Sequence, residues 1–85
     1  MTDDQPDLFP DIIQLSRIDP EKNMLRFYRL TVQRDLFGGA MLTREFGRIG
    51  SPGRVLSEIH ADEGIAVNSL ADWVRKKRKG GYITR

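Results

Sequence analysis

The feature that most constrains this chain is a change in apolar period at residues 61–62. Before it, apolar residues tend to alternate within the segments 12–18, 24–33, 40–50 and 54–61; after it Ala66, Leu70, Trp73 and Val74 recur at helical spacing. A period of two belongs to strands buried on one face, and a period near 3.6 belongs to an amphipathic helix. Strands must therefore come first, with a helix after them. Residues 12–18 alternate, "DPEKN" (19–23) turns the chain, and "MLRFYRLTVQ" (24–33) returns as the second arm of a hairpin. The paired glycines of "DLFGG" (35–39) reverse the chain again, Leu36 and Phe37 being expected in the core. A third strand spans 40–50, "SPG" (51–53) turns, and 54–61 supplies a fourth.

Asp62 is a suitable helix N-cap, and Glu63 adds an acid at the positive end of the helix dipole. Ala66, Leu70, Trp73 and Val74 form a stripe for covering a sheet, with Lys77 at the same spacing. "RKKRK" (75–79) fills the last turn, where cations complement the dipole. Gly80 or Gly81 stops the helix, and Tyr82 is placed to fold back. The expected class is α+β: a small twisted antiparallel sheet of about four strands with one C-terminal helix packed across one face.

Residues 1–11 hold Asp3, Asp4, Asp7 and Asp11 with Pro6 and Pro10, a composition that reads as an acidic mobile tail ahead of a domain at 12–85. The net charge of +2 hides this asymmetry: outside the tail, fourteen bases face eight acids, an excess of six. The domain is basic enough to suit a polyanionic partner. No apolar run approaches the roughly 18 residues of a membrane span, and the N-terminus lacks a signal pattern. The expectation is a cytoplasmic protein, without membrane association and associated with the nucleoid if it binds DNA.

Catalysis finds little support. The chain has no cysteine and one histidine, His60, which excludes a thiolate site and leaves no imidazole cluster for a metal. Ser57 and His60, three apart on a strand, point to opposite faces. "GRIGSPG" contains no phosphate-loop pattern and opens no helix. No enzyme, cofactor or metal is expected. Instead, Arg44, Arg48 and Arg54 stand among Gly47, Gly50 and Gly53, and a second cationic group, with Lys76, Lys77 and Arg78 at its centre, closes the helix. Arginine forks grip phosphate oxygens, and glycines let backbone N–H groups approach them. Phe46, on the same strand face as Arg44 and Arg48, can stack on a sugar or base.

"LFGG" (36–39), "REFGRIGSPG" (44–53) and "KKRKGGY" (76–82), in that order, resemble the WGR domain, over residues 12–82. That family is named for a Trp-Gly-Arg signature and occurs beside the catalytic region of DNA-dependent poly(ADP-ribose) polymerases and in short bacterial proteins. The resemblance implies an antiparallel sheet with a helix on one side and binding at DNA breaks. There, the signature tryptophan packs on a terminal sugar and the signature arginine makes interdomain contacts. Phe46, Gly47 and Arg48 occupy those positions, with phenylalanine in place of the tryptophan.

The expected function is a non-enzymatic module that binds duplex DNA backbone, near ends or breaks, through Arg44, Phe46, Gly47, Arg48, Arg54, Lys76, Lys77 and Arg78. The alternative is an adaptor whose basic face docks an acidic protein. In addition, "QPDLF" (Gln5–Phe9) resembles the Gln-x-Asp-Leu-Phe peptides that dock on the bacterial sliding clamp, and "QRDLF" (33–37) repeats the pattern.

Overall fold

A computed structural model of the chain describes residues 12–85; the acidic segment 1–11, including the Gln5–Phe9 peptide, lies outside the described residues. Strand β1 (Ile12–Asp19) is followed by a single 3₁₀ turn (Pro20–Lys22) and by β2 (Met24–Arg34). Asn23, at φ 53°, closes that turn by donating its N–H to the Pro20 carbonyl at 3.1 Å. Asparagine tolerates this left-handed conformation where bulkier residues resist it. Strands β3 (Ala40–Arg48) and β4 (Arg54–His60), helix α1 (Glu63–Lys79) and a short β5 (Ile83–Thr84) complete the chain. The sheet order is β4-β3-β2-β1-β5, antiparallel throughout. The α+β architecture is as expected, with β5 added at the far edge: two residues are too few to reveal a period.

Register decides which side chains share a face. Tyr28 pairs with Leu15 and Phe46, and Leu30 pairs with Ile13 and Arg44, so these residues all project toward α1. Leu15, Tyr28, Leu30, Val32, Ala40 and Leu42 are buried beneath Ala66 and Leu70 of the helix; Ile13, Phe46, Trp73, Val74 and Tyr82 pack around them. Leu15, Leu30 and Leu42 are the largest fully buried side chains. Truncating one to alanine should cost about 2–5 kcal/mol.

The helix begins where Asp62 Oδ1 accepts the Ile65 N–H at 2.9 Å. It ends in a double backbone turn: Tyr82 donates its N–H to Lys77 O and Gly81 to Arg78 O, both at 3.0 Å, with Gly81 at φ +98°. This is a Schellman closure, which needs a left-handed residue just past the helix. It returns Tyr82 to the sheet, edge-on to Tyr28 at 6.1 Å.

Leu36 and Phe37 depart from expectation. They are not in the core: the Arg34–Ala40 pairing places residues 35–39 beyond the end of the sheet, and the two side chains are 96% and 94% exposed.

Candidate nucleic-acid interface

The β1–β2 and β2–β3 registers set Arg17 opposite Arg26 and Arg26 opposite Arg48. Three arginines thus lie side by side across three adjacent strands, all on the helix face. Like charges directly opposite one another destabilise a sheet. Among the described residues no carboxylate relieves them: the ion pairs there engage Arg29, Arg34, Arg44, His60 and Arg75. Arg48 donates instead to neutral acceptors, the Asn23 carbonyl and Asn23 Oδ1, each at 3.2 Å.

Aromatic rings floor this cationic row. Phe46 stacks on Tyr28 with centroids 5.2 Å apart and planes 16° from parallel. Lys77, from the last turn of α1, reaches over with its Nζ 4.6 Å from the Tyr28 centroid and 5.5 Å from Tyr82. A hollow of about 380 Å³ is lined by Arg26, Tyr28, Phe46, Gly47, Arg48, Lys77 and Tyr82. Burial pushes the Lys77 ammonium below its usual pKa, and the charges of Arg44 and Arg26 push it further. Burial first, and the neighbouring arginines second, make this lysine less willing to hold its proton. An anion entering the hollow offsets the second of these.

The residues expected to bind divide into three groups. Phe46, Arg48 and Lys77 meet in the hollow, and Arg54 pairs with Phe46 on the same face at the β4 edge. Arg44 is turned inward: its side chain is only 14% exposed, Nη1 donates to the Tyr28 hydroxyl at 3.1 Å, and Nη2 lies 3.5 Å from Glu58. Its guanidinium also covers Trp73 at 4.0 Å, with Lys76 Nζ lying 4.8 Å from the same ring. These contacts give Arg44 a structural role. Arg78 lies on the other flank, donating from Nε to Thr84 Oγ1 at 3.1 Å and lining a separate hollow with Ile13 and Val74.

Gly47 has a packing reason for its missing side chain. A Cβ there would meet Gly53 Cα at 2.8 Å, on the face away from the hollow. Gly53, at φ +78°, is held as closely, since a Cβ would come 2.7 Å from Phe46 O and 2.9 Å from Phe27 Cζ. These glycines let the β3–β4 turn fold against Phe27; Gly47 contributes only its backbone to the site. Arg17, Arg26, Tyr28 and Tyr82 were missing from the expected set. The turn at 19–23 holds the signal that finds two of them, because pairing Asp19 with Met24 places Arg17 against Arg26.

Glu58 braces the far side. Its desolvation, the largest influence, raises its pKa, but hydrogen bonds from His60 and Ser69 with the charge of Arg44 outweigh that, and the carboxyl titrates below its ordinary value. His60, at the sheet edge, is occupied with this carboxylate at 3.1 Å. Among the described residues no group of His, Asp or Glu is arranged to hold a metal ion, and no helix is long and apolar enough to cross a membrane.

A family model described as "WGR domain" matches residues 12–85. The chain is 38% identical over 76 residues to an uncharacterized protein, y4dW, of Sinorhizobium fredii (strain NBRC 101917 / NGR234). That alignment takes in 89% of this chain and 37% of the relative, so the chain spans little more than a third of that protein's length. No solved structure matches the chain.

Proposed function

The chain belongs to the WGR domain family, and from that membership and the arginine row we propose that it is a non-enzymatic module gripping duplex DNA backbone near ends or breaks. The observation that carries the proposal is the Arg17–Arg26–Arg48 row, three guanidinium groups without a carboxylate partner among the described residues, two of which, Arg26 and Arg48, line the hollow with Tyr28, Phe46 and Tyr82. Such a row is unfavourable in the free protein and favourable once phosphates interleave it. A row in line suits a polymer: phosphates along a strand can engage Arg17, Arg26 and Arg48, while Arg54, Lys76 and Lys77 flank them. Phe46, which lines the hollow and stacks on Tyr28, is the stacking ring. A phenyl ring in the signature position offers less area than indole and no N–H donor.

The test is fluorescence anisotropy with closed, nicked and blunt duplexes. Binding to all three with a preference for nicked and blunt forms, reduced by Phe46→Ala only for those two, supports end recognition. Equal loss on all three confines Phe46 to a general role, and no binding at low salt rejects the proposal. The adaptor reading is separated by competition: an acidic protein partner held on this face would remain bound in excess duplex.

A further inference from the structure

We infer that residues 7–11, Asp7-Leu8-Phe9-Pro10-Asp11, close back on their own domain and seat Leu8 and Phe9 in the groove between β1 and α1. The groove is a hollow of about 540 Å³ with an apolar floor of Ile13, Leu70 and Val74 and a cationic wall of Arg75, Arg78 and Lys79. A second hollow of about 360 Å³ shares Ile13, Val74 and Arg78 with it and opens onto Ile12, which is 51% exposed. The floor is open because β5 is short. It pairs with β1 only at Leu15 and Ser16, and the Arg85 N–H donates to Gln14 O at 2.8 Å. Beyond that point, among the described residues, β1 has no outer neighbour at Ile12 and Ile13.

Connection, turn chemistry and charge single out this occupant. Segment 1–11 joins the domain at Ile12, in the mouth of the groove, so Leu8 and Phe9 can lie no further than about 14 Å from it. Pro10 fixes the φ that the second residue of a turn needs, and Asp11 suits the third. A turn over 9–12 sends Leu8 and Phe9 back beside Ile13. The segment holds four aspartates and no base. Among the described residues Arg78 and Lys79 have no carboxylate partner: the neighbouring Arg75 pairs with Asp72, and Arg78 donates to the neutral Thr84 Oγ1. Asp7 and Asp11 bracket the apolar pair, so Leu8 and Phe9 take the floor while the carboxylates meet the wall. Burial of two large apolar side chains and charge-assisted pairing both favour the closed arrangement. The groove lies on the flank of α1 away from Lys77 and the arginine row, and its occupation does not rest on their role.

The test is nuclear magnetic resonance on the isotope-labelled full chain, read beside thermal melts. Nuclear Overhauser contacts should join the Phe9 ring to methyl groups of Ile13 and Val74. Leu8→Ala/Phe9→Ala should lower the melting temperature by roughly 4–8 °C. Ala71, exposed on the groove lining, supplies the second variant. Ala71→Glu should lower the melting temperature in the parent chain and have little effect in the Leu8→Ala/Phe9→Ala background, because the segment it displaces has already been released. Asp7→Asn/Asp11→Asn should lower the melting temperature at low salt, and the difference should vanish near about 0.5 M salt. The proposal is overturned if Phe9 shows no contact with the groove, if Leu8→Ala/Phe9→Ala leaves the melting temperature unchanged, or if Ala71→Glu acts equally in both backgrounds. Contacts found only between differently labelled copies in a mixed sample also overturn it, since the occupant is then a second copy's segment. None of these readouts uses a duplex, so they stand whether or not the chain binds DNA.

Discussion

Replacing Arg26 with glutamine should strengthen the fold and weaken polyanion binding together. Arg26 stands between Arg17 and Arg48 in the sheet, with Lys77 close enough for the two charges to be felt. A directly opposed like pair costs roughly 0.2–1 kcal/mol, so two pairs cost about 0.4–2 kcal/mol. Arg26 is exposed, and solvent screening places the relief in the lower half of that range, about 0.5–1 kcal/mol. For a domain of this size that is a rise of roughly 2–8 °C in melting temperature. Raising the salt to about 0.5 M should remove most of the difference, because the screening length falls to a few ångströms. The same substitution removes one phosphate partner, so duplex affinity should drop about tenfold near 50 mM salt, equivalent to roughly 1.4 kcal/mol. Scanning fluorimetry at low and high salt, beside anisotropy on a labelled duplex, measures both effects. A lower melting temperature at low salt would show that the arginine row is not repulsive. Unchanged affinity would show that it is not a contact surface.

Lys77→Met should also reduce duplex affinity and should change the pH dependence of stability. The folded pKa of Lys77 is lowered by burial and by Arg44 and Arg26, so its ammonium disfavours the fold at neutral pH and stability rises with pH between that lowered value and 10.5. Urea titrations from pH 7 upward should show this rise in the parent and lose it in the variant; identical slopes would exclude the cause given. Asp62→Ala removes the acceptor of the Ile65 N–H and should cost about 1 kcal/mol, seen as a fall of roughly 4–8 °C in melting temperature with duplex affinity unchanged. Gly53→Ala forces a Cβ against Phe46 O and Phe27 at positive φ and should cost more than about 1 kcal/mol, measured by urea unfolding; a neutral effect would mean that the β3–β4 turn readily rearranges.

The helix was legible from its stripe because Ala66 and Leu70 must face a sheet and Asp62 must cap it. Strands β1, β2 and β3 were legible from alternation, since each buries residues of one face under the helix, whereas β4 alternates without burying any residue and was legible from the turns that bound it. Leu36 and Phe37 misled for a physical reason: apolar character favours burial but does not enforce it, and the length of the reversing loop decides. Arg44 looked like Arg48 in the sequence, being on the same face of the same strand. Only the position of Trp73 over that face separates an arginine stacked beneath a helix from one left in solvent. Arg17 and Arg26 were hidden because strand periodicity gives the face but not the partner. The turn at 20–23, which pairs Asp19 with Met24, aligns them. Arg78 was assigned to the site because five consecutive cations surround a helix, and which of them faces the hollow depends on how the helix is rotated over the sheet.

The most direct measurement compares the salt dependence of duplex binding in the parent chain with that in Arg17→Gln/Arg26→Gln/Arg48→Gln. Six flanking cations, Arg17, Arg26, Arg48, Arg54, Lys76 and Lys77, imply a slope of log affinity against log salt near −5 for the parent, at about 0.9 per phosphate. Removing three should bring it to roughly −2.5 while the variant stays folded. A parent slope near zero, or an equal slope in both proteins, would contradict the assignment of the arginine row as the surface that holds the polyanion.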